Sequence, residues 1–76
     1  MIHELDVVVL NADLPEHGLK RGDVGAVVHV YKNGELETEF VTYGGETAAL
    51  IALRPDQVHL AGKQELMHSR AMERAL

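Results

Sequence analysis

The sequence predicts an all-β fold: a small barrel or a strongly bent antiparallel sheet of about five strands over residues 1–60, followed by a C-terminal amphipathic helix or flexible tail over residues 61–76. Three observations carry this expectation. Short runs that are β-branched or alternate in polarity recur along residues 1–60, spaced as in a meander of about 8 to 12 residues per strand. Glycine-containing turn signals separate several of them. Beyond residue 60 the character changes, with strong helix formers and no β-branched residue.

Residues 5–10 (Leu-Asp-Val-Val-Val-Leu) form a β-branched apolar run too short for a stable helix, and the polar segment 11–18 reads as a loop. Gly22 and Gly25 permit a tight turn or a bulge before residues 26–31 (Ala-Val-Val-His-Val-Tyr), the clearest strand of the chain. Asn33-Gly34 is the pair favoured by type I′ hairpin turns. Residues 35–43 then alternate, with Glu35, Glu37 and Glu39 on one face and Leu36, Thr38 and Phe40 on the other, so the strand has one wet face. Gly44-Gly45 is a second hairpin signal. Residues 47–53 (Thr-Ala-Ala-Leu-Ile-Ala-Leu) are apolar on both faces, as in a strand covered on both sides; alanine also permits a helix, but a run this short before Arg54-Pro55 suits a meander. Pro55-Asp-Gln reads as one helical turn and Val58-His-Leu as a short closing strand. The connectivity is that of SH3-like barrels, in which closure removes exposed strand edges.

The tail spaces Met67, Ala71 and Ala75 by four, with Met72 and Leu76 beside them, as on an amphipathic helix. A helix of about 14 residues is marginal alone in water, so the tail is expected to dock on the body, on another subunit or on a partner, ahead of remaining disordered.

Composition narrows the functions. The chain has 76 residues, no cysteine and no tryptophan, which excludes disulfides, thiolate metal sites and a cysteine nucleophile and leaves no room for a large multi-step enzyme. No basic stretch leads into an apolar run at the amino terminus, and no segment approaches the roughly 18 apolar residues of a membrane span, so a cytoplasmic location without a membrane is expected. The net charge of −5 is uneven: residues 1–60 hold ten acids against four bases, and residues 61–76 hold Lys63, Arg70 and Arg74 against Glu65 and Glu73. An acidic body disfavours phosphate contacts, which makes nucleic acid an improbable partner.

Residues 5–10, Asp13 to Tyr31, Glu39-Phe-Val and the Gly45-Glu-Thr-Ala-Ala-Leu segment together resemble the small bacterial family called domain of unknown function 4926. The resemblance covers residues 3 to 60 and leaves the tail outside. It departs at Thr38-Glu39-Phe40, where the family's third strand would read Val-Glu-Phe. It implies an SH3-like or bent β-sheet module without assigned chemistry or catalytic residues. It also implies action beside another small protein encoded nearby, as in a toxin/antitoxin-like or immunity pair.

The spacing Leu19-x-x-Gly22-x-x-Gly25-x-Val27 is also similar to the KOW element of ribosomal and transcription proteins, where a loop and the next strand contact RNA or protein. This is the alternative reading, a nucleic-acid accessory domain using Lys20 and Arg21. Against it, a turn and a close strand contact account for the glycines, and two bases among ten acids make a poor RNA platform. His3, His17, His29, His59 and His68 lack i, i+2 or i, i+4 pairing, so no metal site or other cofactor is expected, although neighbouring strands could still bring His29 and His59 together. Acid–base catalysis by Glu35, Glu37 or Glu39 would require burial that a wet strand face does not give, and Ser69 is the only serine, so no enzyme is expected. The expected function is a non-enzymatic protein-interaction module. Its candidate partner-binding residues are Glu35, Glu37 and Glu39 on the acidic strand face, and Met67, Ala71, Met72 and Leu76 in the tail, through which a homo-oligomer or a protein partner would be held.

Overall fold

A computed structural model describes residues 1–41 and 47–62. Five strands, β1 (Val7–Leu10), β2 (Val24–Val30), β3 (Leu36–Val41), β4 (Thr47–Leu53) and β5 (Val58–Leu60), form one antiparallel sheet in the order β4-β3-β2-β1-β5. The chain is all-β, and of the two expected forms it takes the bent sheet: β4 and β5 are the two ends of the ladder and do not pair with each other. The second hairpin signal, Gly44-Gly45, and the expected tail helix with Met67, Ala71, Met72 and Leu76 lie outside the described residues.

Pleating divides the sheet into an inner and an outer face. Val8, Leu10, Val27, Leu36, Phe40, Leu53 and Val58 meet on the inner face with Leu19 from the first loop, and Ile51, Ala49, Val30, Leu14 and Ile2 pack around them. Thr38 sits among them fully buried, and its hydroxyl donates to the Leu36 carbonyl at 3.0 Å. The polar atom of this position is therefore satisfied, and the threonine is tolerated in the core.

Gly25 is what lets the core close. A β-carbon at Gly25 would lie 2.8 Å from Cε1 and 2.9 Å from Cδ1 of Phe40, and 2.9 Å from Cγ2 of Thr38. The Phe40 ring thus lies across bare β2 backbone. Gly22 has a separate reason to be glycine: at φ +92° it occupies the left-handed side of the turn that closes with the Asp23 N–H donating to the Lys20 carbonyl at 3.0 Å.

Three local features differ from the expectation. The first strand begins at Val7, because residues 3–6 form a turn in which the Asp6 N–H donates to the His3 carbonyl and Leu5 takes φ +72°, leaving Leu5 84% exposed. The β2–β3 connection is not a type I′ turn on Asn33-Gly34. That turn needs positive φ at both central residues, whereas Gly34 is at +91° and Asn33 is not positive. Instead Gly34 N–H donates to the Tyr31 carbonyl, and Tyr31 N–H donates to the Glu35 carbonyl. This is a tight turn over Lys32 and Asn33 followed by a glycine bulge, with Asn33 Oδ1 accepting the Glu35 N–H at 3.0 Å.

The third difference concerns β4, expected to be covered on both faces. It is an end strand: Leu53 is buried and Ala49 and Ile51 are half-buried on the inner face, while Leu50 is 54% exposed on the other. An apolar run specifies hydrophobic contact on both sides, but among the described residues only β3 pairs with it and only its inner face reaches the core.

Gly25→Ala is expected to destabilise the protein by roughly 1–3 kcal/mol through overpacking against Phe40. Urea unfolding of Gly25→Ala, Phe40→Leu and the double variant checks the mechanism: the double variant should be less damaged than the sum of the singles, and strict additivity would show that the two residues do not meet.

Candidate functional site

The outer face of the sheet carries the candidate site. Strand register sets Val7, Ala26, Glu39 and Leu50 in one row across four strands, and His29, Glu37 and Ala52 in the next. An irregularity at Val28 between these rows keeps both Val27 and Val30 facing inward although they are three positions apart, and leaves Val28 41% exposed. Glu37 and Glu39 therefore share the outer face, as their spacing predicts. Glu35 precedes β3 and belongs to the turn, where its carboxylate accepts from Asn33 Nδ2 at 3.2 Å. Glu39 Oε2 accepts the Thr47 hydroxyl at 2.7 Å, tying β3 to β4.

Around the carboxylates this face is apolar rather than uniformly wet. Leu50, Val41 and Val7 are 54%, 43% and 37% exposed. These three and Ala26 and His29 were not legible as one surface in the sequence. They come from four different strands, and only the pairing register joins them.

A polar corner borders the apolar row. The His29 ring meets Tyr31 edge-on, with centroids 4.8 Å apart, and His29 Nδ1 lies 3.6 Å from Glu4 Oε2. The Tyr31 hydroxyl is held above its ordinary pKa by partial removal from water, then by repulsion from Glu37 and a hydrogen bond to that carboxylate, with Glu35 adding to the repulsion.

Lys20 and Arg21 stand elsewhere, in the loop between β1 and β2. The loop is folded on itself by a bridge between Leu14 and Leu19 around the 3-10 turn Pro15–His17. Asp23, 5% exposed, accepts the Lys20 N–H at 2.9 Å, and Asp13 accepts the Arg21 N–H at 2.8 Å. The two basic residues thus carry acids at their own backbone, and the loop charges are interleaved rather than set out as a cationic stripe.

The histidines are kept apart by topology. His29 faces Glu37 across β2 and β3, whereas His59 lies opposite Val9 on β5 and its Nδ1 contacts Asn11 Oδ1. Asn11 also donates through Nδ2 to the Asp56 carbonyl and through its backbone to the Gln57 carbonyl, so it fastens the Pro55–Gln57 turn to the end of β1. Among the described residues no group of three or more His, Asp or Glu side chains is arranged to hold a metal ion, and no helix is long and apolar enough to cross a membrane.

The polar corner predicts a spectroscopic signature. In a Tyr43→Phe background, which leaves Tyr31 as the single tyrosine, ultraviolet titration should give a phenol midpoint above 10.0. Glu37→Gln should lower that midpoint, and one unmoved by the substitution would show that the carboxylate does not act on the phenol.

Comparison with known proteins bears on the described strands. Neither a search of curated proteins nor one of solved structures yields a match. Residues 4–60, which contain all five strands, match the family described as Domain of unknown function (DUF4926). The resemblance first carried by residues 5–10, Asp13 to Tyr31, Glu39-Phe-Val and the Gly45-Glu-Thr-Ala-Ala-Leu segment is therefore one of descent, and the chain belongs to the DUF4926 family.

Proposed function

We propose that the chain is a non-enzymatic protein-interaction module, and that the outer face of its sheet receives the partner. The observation that carries this reading is the exposure of Leu50, Val41 and Val7 on a face that also holds Glu37 and Glu39. Isolated exposed apolar side chains are ordinary, but several on one sheet face, Leu50 and Val41 flanking Glu39 and Val7 beyond Ala26, have the mixed apolar and charged composition of a recognition surface. The matching partner surface would present apolar side chains bordered by lysine or arginine. Charge complementarity of this kind sets orientation and association rate more than affinity. In a narrower form of the proposal, the partner is a second small protein encoded nearby, in a toxin/antitoxin-like or immunity pair. The tail residues Met67, Ala71, Met72 and Leu76 would add a second contact to the partner or to another copy, and the setting would be the cytoplasm.

The acid at Asp13 supports a protein rather than a nucleic acid, because its exposed carboxylate stands at the Arg21 backbone, where a phosphate approaching Lys20 or Arg21 would meet it as well.

The test is affinity capture from the source organism with two baits, the native chain and the Glu37→Lys/Glu39→Lys variant, read by quantitative mass spectrometry. A partner recovered at least about tenfold more by the native bait is expected, a difference of about 1.4 kcal/mol. Equal recovery by both baits would overturn the outer-face reading. Co-purifying nucleic acid lost on changing Lys20 and Arg21 together would replace it with the KOW-like one.

A further inference from the structure

We infer that one partner of this chain is a second copy of itself, joined edge to edge through β4. This deepens the interaction reading by naming a partner, but it uses the end of the sheet rather than its outer face.

The inference starts from what β4 lacks. Thr47–Leu53 contains no charged residue and no proline, and among the described residues its pairing is to β3 alone, so one edge of the strand presents open backbone donors and acceptors. Sheet proteins ordinarily blunt such edges with charge, proline, a bulge or a covering segment. The device present here is the irregularity at Ala48, at one end of the strand, where Val41 pairs with Thr47 while Phe40 pairs with Ala49. Residues 49–53 continue regularly beyond it.

The strand is also complementary to itself. A two-fold axis perpendicular to the sheet at Leu50 pairs two copies of β4 antiparallel while keeping outer side chains opposite outer and inner opposite inner. Leu50 then meets Leu50 of the other copy on the outer face. On the inner face, half-buried Ile51 meets half-buried Ala49, so each copy extends the apolar layer of the other. This covers Leu50, the most exposed large side chain of the strand.

Charge supplies the second argument. Two molecules of net charge −5 repel, and a strand free of charge is where they can approach without like charges facing. An edge contact of this length falls short of the roughly 1,200 Å² that stable interfaces bury, so the association is expected to be concentration-dependent between about 10 µM and 1 mM.

The experiment is sedimentation of the full chain across that range. The native protein should move from monomer to dimer. Leu50→Lys, which places an edge charge on a side chain that the monomer leaves exposed, should remain monomeric while keeping its circular dichroism and melting temperature. Should Leu50→Lys fail to fold, crosslinking through a single introduced cysteine decides. Because the chain has no cysteine, Leu50→Cys gives a single thiol that should oxidise to a covalent dimer, whereas Val7→Cys on β1 should not. A native chain that stays monomeric at 1 mM, a Leu50→Lys protein that still dimerises, or equal crosslinking at both cysteines would overturn the inference. Residues 63–76 or a different protein covering β4 would give the first of these results. Capture of a partner sensitive to Glu37 and Glu39 by a monomeric chain would retain the outer-face reading while removing this one.

Discussion

The contact of the Phe40 ring with the bare backbone of Gly25 is the constraint on which the sheet depends. It sets how closely β3 can pack across β2, and so where Thr38, Val27 and Leu36 meet in the core. Any side chain at Gly25 would hold the ring off, and the layer formed by Val8, Val27 and Phe40 would lose its density. In a domain this small each core residue carries a large share of the burial, so there is little surplus to absorb such a displacement.

How much was legible in the sequence follows from the range of each interaction. Alternation across Leu36 to Phe40 depends on one strand alone, and it placed Glu37 and Glu39 correctly outside and Thr38 inside. The role of Gly25 was half legible: the spacing called for a turn and a close neighbour, but that the neighbour is Phe40 depends on register. The turn at Asn33-Gly34 was misread because the pair serves two geometries, and the side chain of Asn33, by accepting from Glu35, favours the one in which only glycine is left-handed. The position of β4 at the end of the ladder could not be read locally, since an apolar strand looks alike at a sheet's centre and at its edge. The outer row of Val7, Ala26, Glu39 and Leu50 was invisible for the same reason.

The acids of the first loop give a different lesson about net charge. Asp13 and Asp23 both accept backbone N–H groups of the same loop, but Asp23 is buried there while Asp13 stays exposed, so the two do not add equally to the acidic exterior. Glu37 and Glu39 place acidity on the outer face and Glu4 and Glu35 at its polar corner, while exposed Glu16 and Asp56 lie outside both. Two surfaces are thus proposed for recognition, one made of side chains on the sheet face and one of backbone at the β4 edge, and they would obey different rules: the first would select by charge and shape, the second by strand polarity and the absence of charge.

The pairing of β1 with β5 has a consequence for how the chain is assembled. Strands β2, β3 and β4 follow one another and pair with their neighbours in sequence, whereas Val8 finds Leu60 only after nearly the whole described chain has been made. Closing so long a loop carries an entropic penalty that short hairpins avoid. During synthesis the meander can form while β1 still lacks its outer neighbour, and the seam beside Val8 and Leu10 is expected to be sealed last. Asn11, bonded to the Asp56 and Gln57 carbonyls, sits where that seam meets the last turn, and so acts as the clasp of a late-closing joint.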